Sequence, residues 1–421
     1  MRKEFALKGI CLALSVIIAM AFASCSDSGS DPAEDSNTIK IGVLLSITGT
    51  GAPNAVEAQA ALEIALNEIN EHFKNKNSKL KIKLFIEDTK SDTLVCLEKL
   101  KQFKANDIKF VIGPCLSSEL AAVKDYADQN DMLLLTHSAT AISLAIPNDN
   151  IFRLTPCDSI QAKAMVKMLD HSSISAIVSL IRNDLWASEL NSATQKLFIE
   201  DGGRANKTVS FGPNNTYGFE DIMTDVDAGV KGLKLNYNHN ELDIACYFLS
   251  MDEGVKYLRI AKNYEDLKQI RWFGGDAFAM NEQVLLDEDA VEFCYQSQLC
   301  CPVFALDPNS KSRWSPLKNM INAKIGREPS STAINAYDAL WLYALAYEKA
   351  GKEADFSTLK NAFLSKSKNF DGASGIINLN ENGDRINANY EFWSIMKNAD
   401  QYAWTRTAIY YSASDALQIL N

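Results

Sequence analysis

A regular change of hydrophobic period constrains this chain more than any other feature. Ile39–Leu45 (IKIGVLL) is a β-branched apolar run that reads as a buried strand. Residues 55–73 then place Val56, Ala60, Ile64, Ile69 and Phe73 near helical spacing, and Leu80–Glu87 alternates with Ile82, Leu84 and Ile86 on one face. The rhythm continues with a helix at Leu94–Phe103, a strand at Phe110–Gly113, a helix at Ser118–Gln129 and a strand at Met132–Thr136. It restarts after Asn150–Pro156: helix 159–170, strand 176–182, helix 187–200, strand 208–211, helix 218–230, strand 243–250, helix 252–263 and strand 270–275. Residues 291–304 read as extended, 313–325, 331–350 and 356–365 as helical, and 376–379 and 390–397 as extended again. Strands that alternate with helices imply parallel sheets covered on both faces. The expected fold class is α/β, with two doubly wound parallel-sheet lobes in series.

The first 25 residues stand apart from that rhythm. Arg2, Lys3 and Lys8 precede an apolar stretch from Ile10 to Phe22, followed by Ala23, Ser24 and Cys25. This pattern predicts a signal peptide over 1–24; the stretch is short of the roughly 20 residues a spanning helix needs. Phe22-Ala23-Ser24-Cys25 resembles a bacterial lipobox with Phe in place of the usual Leu, which makes Cys25 the expected lipidation site. Ordinary cleavage after Ala23 is the alternative. Residues 25–38 carry no large apolar side chain and read as a flexible, lipid-anchored tether. The expected location is an exported lipoprotein facing the periplasm or the cell surface.

A formal charge of −11 gives no basic footprint for nucleic acid and no general attraction to anionic lipid. Only four His are present, at 72, 137, 171 and 239, too dispersed for a His-built metal site. Seven cysteines follow Cys25 without a CxxC spacing, so they read mainly as small buried apolar residues. No GxSxG elbow and no HExxH occur. Gly49-Thr50-Gly51 imitates a dinucleotide fingerprint, but Asn54 holds the third glycine position. Glu87, Asp88 and Asp92 read as strand-end acids in a solvated loop. No cofactor and no metal is expected.

In open α/β sheets ligands sit beyond the carboxyl ends of strands. The turns there contain small residues, hydroxyls and backbone, with no cluster of Lys or Arg. Ser117 and Ser118 stand between a strand end and a helix start, where hydroxyls and free N–H groups suit an anion; either could instead be only a helix cap. Ser138, Ala139 and Thr140 form a second such turn, which could be a turn and nothing more.

Seven segments in order carry a family resemblance: IKIGVLLSITGTG, AALEIALNEIN, LFIEDTKSD, FVIGPCLSSE, LLTHSATAISL, NIFRLTPCDSIQA and NAYDALWLYALA. From Ile39 to at least Tyr343 the chain resembles the periplasmic leucine/isoleucine/valine-binding protein family, the type I substrate-binding proteins of ABC transporters. The resemblance implies two lobes joined by a three-stranded hinge, with crossings near Pro156, Cys301 and Asn387. The first lobe would be 39–155 plus 302–387 and the second 156–301 plus 388–421. It further implies that Ser117 binds a ligand carboxylate and that Ala139 and Thr140 add hydrogen bonds to an amino-acid head group. By the same resemblance Asp276 pairs with the ligand ammonium, and Trp186 covers the ligand from the second lobe. Asp276 as a loop acid and Trp186 as core are the competing readings.

Three departures bear on the side-chain pocket. Asn54-Ala55 stands where many relatives carry an aromatic-glycine pair, His137 where many have Pro, and Trp186-Ala187 where Tyr-Gly is usual. His137 is either a structural replacement or a contact for a polar ligand. The expected function is a receptor that traps a small polar solute, an amino acid or related compound, and delivers it to an inner-membrane ABC permease. A sensor coupled to a signalling partner, or a hydrolase on the same fold, are the alternatives.

Overall fold

The computed structural model describes residues 37–216, 218–237, 239–386, 388–399 and 401–420. The leader, Cys25 and all but the last two residues of the tether lie outside them, as does Asn387, where one crossing is expected. The first sheet consists of β1 (Thr38–Leu45), β2 (Lys81–Asp88), β3 (Phe110–Ile112), β4 (Leu133–Thr136) and β5 (Ile151–Arg153). Their order is β2-β1-β3-β4-β5 and every pair is parallel. The crossovers carry α1 (Ala52–Asn75), α2 (Thr93–Ala105) and α3 (Ser117–Gln129). The pleat of β1 sorts its side chains onto two faces. Ile39, Ile41, Val43 and Leu45 pack with Leu62 and Ile69 of α1, whereas Leu44 packs with Leu100 of α2 and Val123 of α3. Each such fully buried side chain contributes about 2 kcal/mol.

After β5 the chain enters α4 (Asp158–His171), and a second sheet begins with β6 (Ala176–Arg182), β7 (Arg204–Phe211), β8 (Ile244–Leu249), β9 (Arg271–Gly274) and β10 (Cys300–Phe304). Its helices are α5 (Leu185–Glu200), α6 (Phe219–Tyr237), α7 (Gly254–Ala261), α8 (Glu265–Gln269), α9 (Glu282–Leu285) and α10 (Glu288–Gln296). The same sorting recurs on β6: Ala176, Val178 and Leu180 face the core under α6 and α7, and Ile177 and Ile181 face Met165 of α4 and Leu190 of α5.

The chain then returns to the first lobe. Of α11 (Lys311–Ile325), α12 (Ser331–Ala350) and α13 (Phe356–Lys366), α12 supplies Leu340 and Tyr343 to the core beneath β1. A small antiparallel pair, β11 (Phe370–Gly372) and β12 (Gly375–Ile377), follows. Finally β13 (Tyr390–Asn398), β14 (Gln401–Tyr411) and β15 (Ala416–Ile419) extend the second sheet, in the order β15-β14-β13-β10-β9-β8-β6-β7. These last strands pair antiparallel, β13 against β10, β14 against β13 and β15 against β14. The protein is therefore α/β with two lobes of doubly wound type, the second carrying an antiparallel extension that the alternating rhythm does not announce.

One expectation differs from what is observed. Residues 291–304 are not extended throughout, because Asp287 caps α10 by accepting from the Ala290 N–H and only 300–304 form a strand. Cys301, near which a crossing is expected, lies in β10, whose pairing with β13 runs on to Phe304. Near the crossings lies a buried ion pair: Arg153 Nε and Nη2 donate to the two carboxylate oxygens of Asp384 at 2.5 and 2.8 Å. Arg153 Nη1 also donates to the Ala141 carbonyl at 2.6 Å, so the last strand of the first sheet, the turn after β4 and the segment before β13 are tied together. All seven cysteines in the described residues are buried and unjoined.

Candidate functional site

The turn after β4 is held to the start of α3. Ser117, the first residue of that helix, accepts hydrogen bonds at its Oγ from the Thr140 and Ala141 N–H groups, both at 3.2 Å. Its hydroxyl thus supports the neighbouring turn and does not cap its own helix. Thr136 Oγ1 donates to the Pro114 carbonyl at 2.7 Å and accepts from the Ala139 N–H at 3.2 Å. Ser138 Oγ donates to the Cys115 carbonyl at 2.8 Å. Ser118 is half-buried and makes no hydrogen bond among the described residues.

His137 lies beneath this turn, fully buried, with Nε2 3.7 Å from Cys115 Sγ. Burial lowers its pKa to about 4, so the ring is neutral. Of the two readings left open for it, the structural replacement fits its place in the interior.

From the turn the site continues into the hinge. The Thr140 carbonyl accepts from the Asp158 N–H at 3.0 Å. Asp158 opens α4 and is completely buried. The Thr140 hydroxyl lies close enough to favour its ionised form, yet neither carboxylate oxygen completes a hydrogen bond of normal geometry. Burial above all, and then the charge of Asp276, hold the Asp158 carboxyl well above the ordinary range, with Arg153 working in the opposite direction. Sequence reasoning missed Asp158, which sits two residues after the expected crossing at Pro156.

The second lobe closes the other side. Asp276 follows β9 and accepts from Gln161 Nε2 of α4 at 3.1 Å. Burial raises its pKa, while hydrogen bonds from Gln161 and the Trp186 indole oppose the shift. Trp186 starts α5, whose cap is Asp184, which accepts from the Ala187 N–H at 2.9 Å. The indole is 5% exposed and belongs to the core of that lobe as well as to the site. A Cβ on Gly275 would lie 2.8 Å from Leu249 and 3.0 Å from the Trp186 ring, so glycine lets the loop carrying Asp276 lie against the indole.

Ser117, Ala139, Thr140, Trp186 and Asp276 are thus brought to one place, with Asp158 and Gln161 between them. Ser138 and Ser118 flank it. An open cavity of about 360 Å³ begins at Ala277, next to Asp276, and runs between the two lobes. Asn54, Asp252, Gln283 and Arg327 line it. Beneath it Glu57 is fully buried and accepts from Arg327 Nη1 and the Ser330 N–H, both at 3.1 Å. The lobes meet around this cleft: Arg182 Nη2 donates to Thr50 Oγ1 at 3.0 Å and the Ser143 N–H to Glu189 Oε2 at 2.9 Å.

Chemically, the arrangement offers the Ser117 and Ser118 hydroxyls at one end and an acidic pair at the other. Comparison with known proteins places the chain in a family. The family described as "Receptor family ligand binding region" matches residues 57–398. An uncharacterized protein of Methanocaldococcus jannaschii is 26% identical, over 85% of this chain and 87% of its own. The leucine-, isoleucine-, valine-, threonine-, and alanine-binding protein of Pseudomonas aeruginosa is 24% identical, over 89% of this chain and 92% of its own. Among solved structures, the branched-chain amino acid transporter substrate binding protein LivJ of Streptococcus pneumoniae, in complex with isoleucine, shares the fold. Its TM-score is 0.70 at 20% identity, over 88% of this chain and 99% of that one. The chain therefore belongs to the family described as the receptor family ligand binding region.

Proposed function

We propose that this protein is an extracytoplasmic solute receptor that holds a free amino acid, or a compound with the same head group, between its lobes. The observation that carries this reading is Asp158: a completely buried carboxylate with no hydrogen bond of normal geometry, set beside a second acid, Asp276. Two neighbouring carboxylates in low dielectric call for a cation, and an α-ammonium supplies one. The Ser117–Thr140 turn, with the half-buried Ser118 beside it, offers donors to the carboxylate of the same ligand. Trp186 would cover the ligand from the second lobe.

We take the lobes as 39–155 plus 302–387 and 156–301 plus 388–421, with closure about the crossings between them. Release to an ABC permease is the transport step this reading implies, and it requires no catalysis by the chain itself. Anchoring through Cys25 would place the receptor on the membrane surface. Asn54 and Gln283 in the adjoining cavity favour a ligand side chain that forms hydrogen bonds over a branched aliphatic one.

A thermal-shift screen of the purified full chain against the standard amino acids, each near 1 mM, tests the reading. A ligand at about 1000 times its dissociation constant adds about 4 kcal/mol, an upward shift of several degrees. Asp158→Asn and Asp276→Asn should each abolish it. The proposal fails if no amino acid shifts the transition, or if a carboxylic acid without an ammonium group does so equally well.

A further inference from the structure

A second cavity lies in the second lobe, away from the cleft. It has a volume of about 700 Å³, within the roughly 300–1,000 Å³ of small-molecule sites. Arg271 opens β9 and Asp276 follows the other end of that strand, so at about 3.3 Å per residue the two are on the order of 15 Å apart. The cavity is therefore separate from the acidic pair.

Its lining has two properties. No Asp or Glu faces it, although the chain carries 53 acids against 42 Lys and Arg. Arg271, in contrast, does, and this guanidinium forms no hydrogen bond or ion pair among the described residues; its Nε is buried without a partner. It lies over the Phe273 ring, 5.0 Å from the centroid, and near the buried Cys300 thiol. Burial works against its charge, and a half-buried arginine is ordinarily matched by an acid. The hydroxyls of Ser394 and Thr407 also line the cavity, as do the apolar Met168 and Ala408, which belong to one core cluster.

We propose that this cavity is a second ligand site, which takes an organic monoanion whose carboxylate pairs with Arg271 and whose apolar body lies against Met168 and Ala408. One guanidinium matches one carboxylate in a two-point contact. The lining holds no lysine and no second arginine to meet a dianion, and its other basic side chain, His171, is exposed to solvent.

Octanoate is a suitable probe, with neutral 1-octanol as the control, titrated into the full chain and followed by ligand-observed saturation-transfer NMR. For a probe of about ten heavy atoms at ordinary efficiency, saturation is expected with a dissociation constant on the order of 1 mM or tighter. Octanol should bind at least tenfold more weakly. Arg271→Gln should weaken octanoate at least tenfold. Met396 lines the same cavity and is 45% exposed, so Met396→Asp places a like charge at the rim without disturbing the core and should weaken octanoate as well. Asp276→Asn should leave octanoate binding unchanged. The proposal is overturned if octanoate does not saturate by 10 mM, if octanol binds equally well, or if Asp276→Asn abolishes binding. It is also overturned if Met396→Asp binds as the parent does, which decides the matter even should Arg271→Gln fail to fold.

Discussion

Asp158 and Asp276 lie side by side, both with carboxyl groups raised by burial and Asp158 raised further by its neighbour. A carboxyl whose folded pKa exceeds its unfolded value, about 3.9 for Asp, contributes stability below that unfolded value and loses it as pH rises through the folded one. Neutral pH is thus the penalised side for the empty receptor. Asp158→Asn should raise the ligand-free melting temperature by about 2 °C, corresponding to roughly 1 kcal/mol, while reducing amino-acid affinity at least about 100-fold, as expected when a charged hydrogen-bonded contact is lost. Calorimetry and titration on the same variant check both signs. An ammonium would favour the ionised carboxylates, so ligand binding should release protons at pH values above the ordinary carboxylate range, where these raised carboxyls still hold them, and affinity should rise with pH. Titration in two buffers of different ionisation enthalpy measures this, and proton uptake would contradict it. The turns carrying Ser117 and Thr140 are legible in the sequence because they follow strands that the period marks, whereas the roles expected of Trp186 and Asp276 rest on the family resemblance. Asp158 is not legible, because an acid in the first turn of a helix is also what the helix dipole alone would favour.

The elements that position these groups show what periodicity captures and what it omits. Strands with both faces buried, such as β1 and β6, read plainly because they are unbroken apolar runs. The edge strand β7 begins four residues before the expected 208, since its first half alternates exposed and half-buried polar residues. The α10 segment misleads because a short apolar run does not separate helix from strand. The β14 strand escapes notice because much of it is exposed or half-buried. At this scale the loop after β9 is the most exacting part of the site. Gly275→Val would push against Leu249 and Trp186, at a cost of about 1–3 kcal/mol in stability. It should weaken ligand binding in parallel, since it moves the loop carrying Asp276. Denaturant unfolding and titration together test this; a variant that loses stability with affinity intact would detach Gly275 from the site.

Across the whole molecule, the two lobes are joined over the cleft by contacts that need not touch a ligand. Arg182 is fixed within the second lobe by Asp184 at 2.5 Å and Glu253 at 3.1 Å, and from there reaches Thr50 in the first. Thr50→Val removes that contact and leaves the Arg182 ion pairs in place. A receptor whose binding-competent state is less populated binds more weakly by the same fraction. Loss of one such hydrogen bond, worth about 1–2 kcal/mol, should weaken affinity by roughly fivefold to thirtyfold. Small-angle scattering should show a larger radius of gyration for the unliganded variant and an unchanged one at saturation. The sealed thiols carry a consequence for the redox state of the molecule. The thiolate is the form that reacts with oxidants and disulfides, and burial pushes the Cys115 thiol up to about 12, leaving roughly one part in 10⁵ ionised at neutral pH. With all seven thiols buried in the described residues, the native fold owes nothing to a disulfide and presents little for oxidation to attack. The lobes can therefore keep the same stability on either side of a membrane across which the redox potential changes.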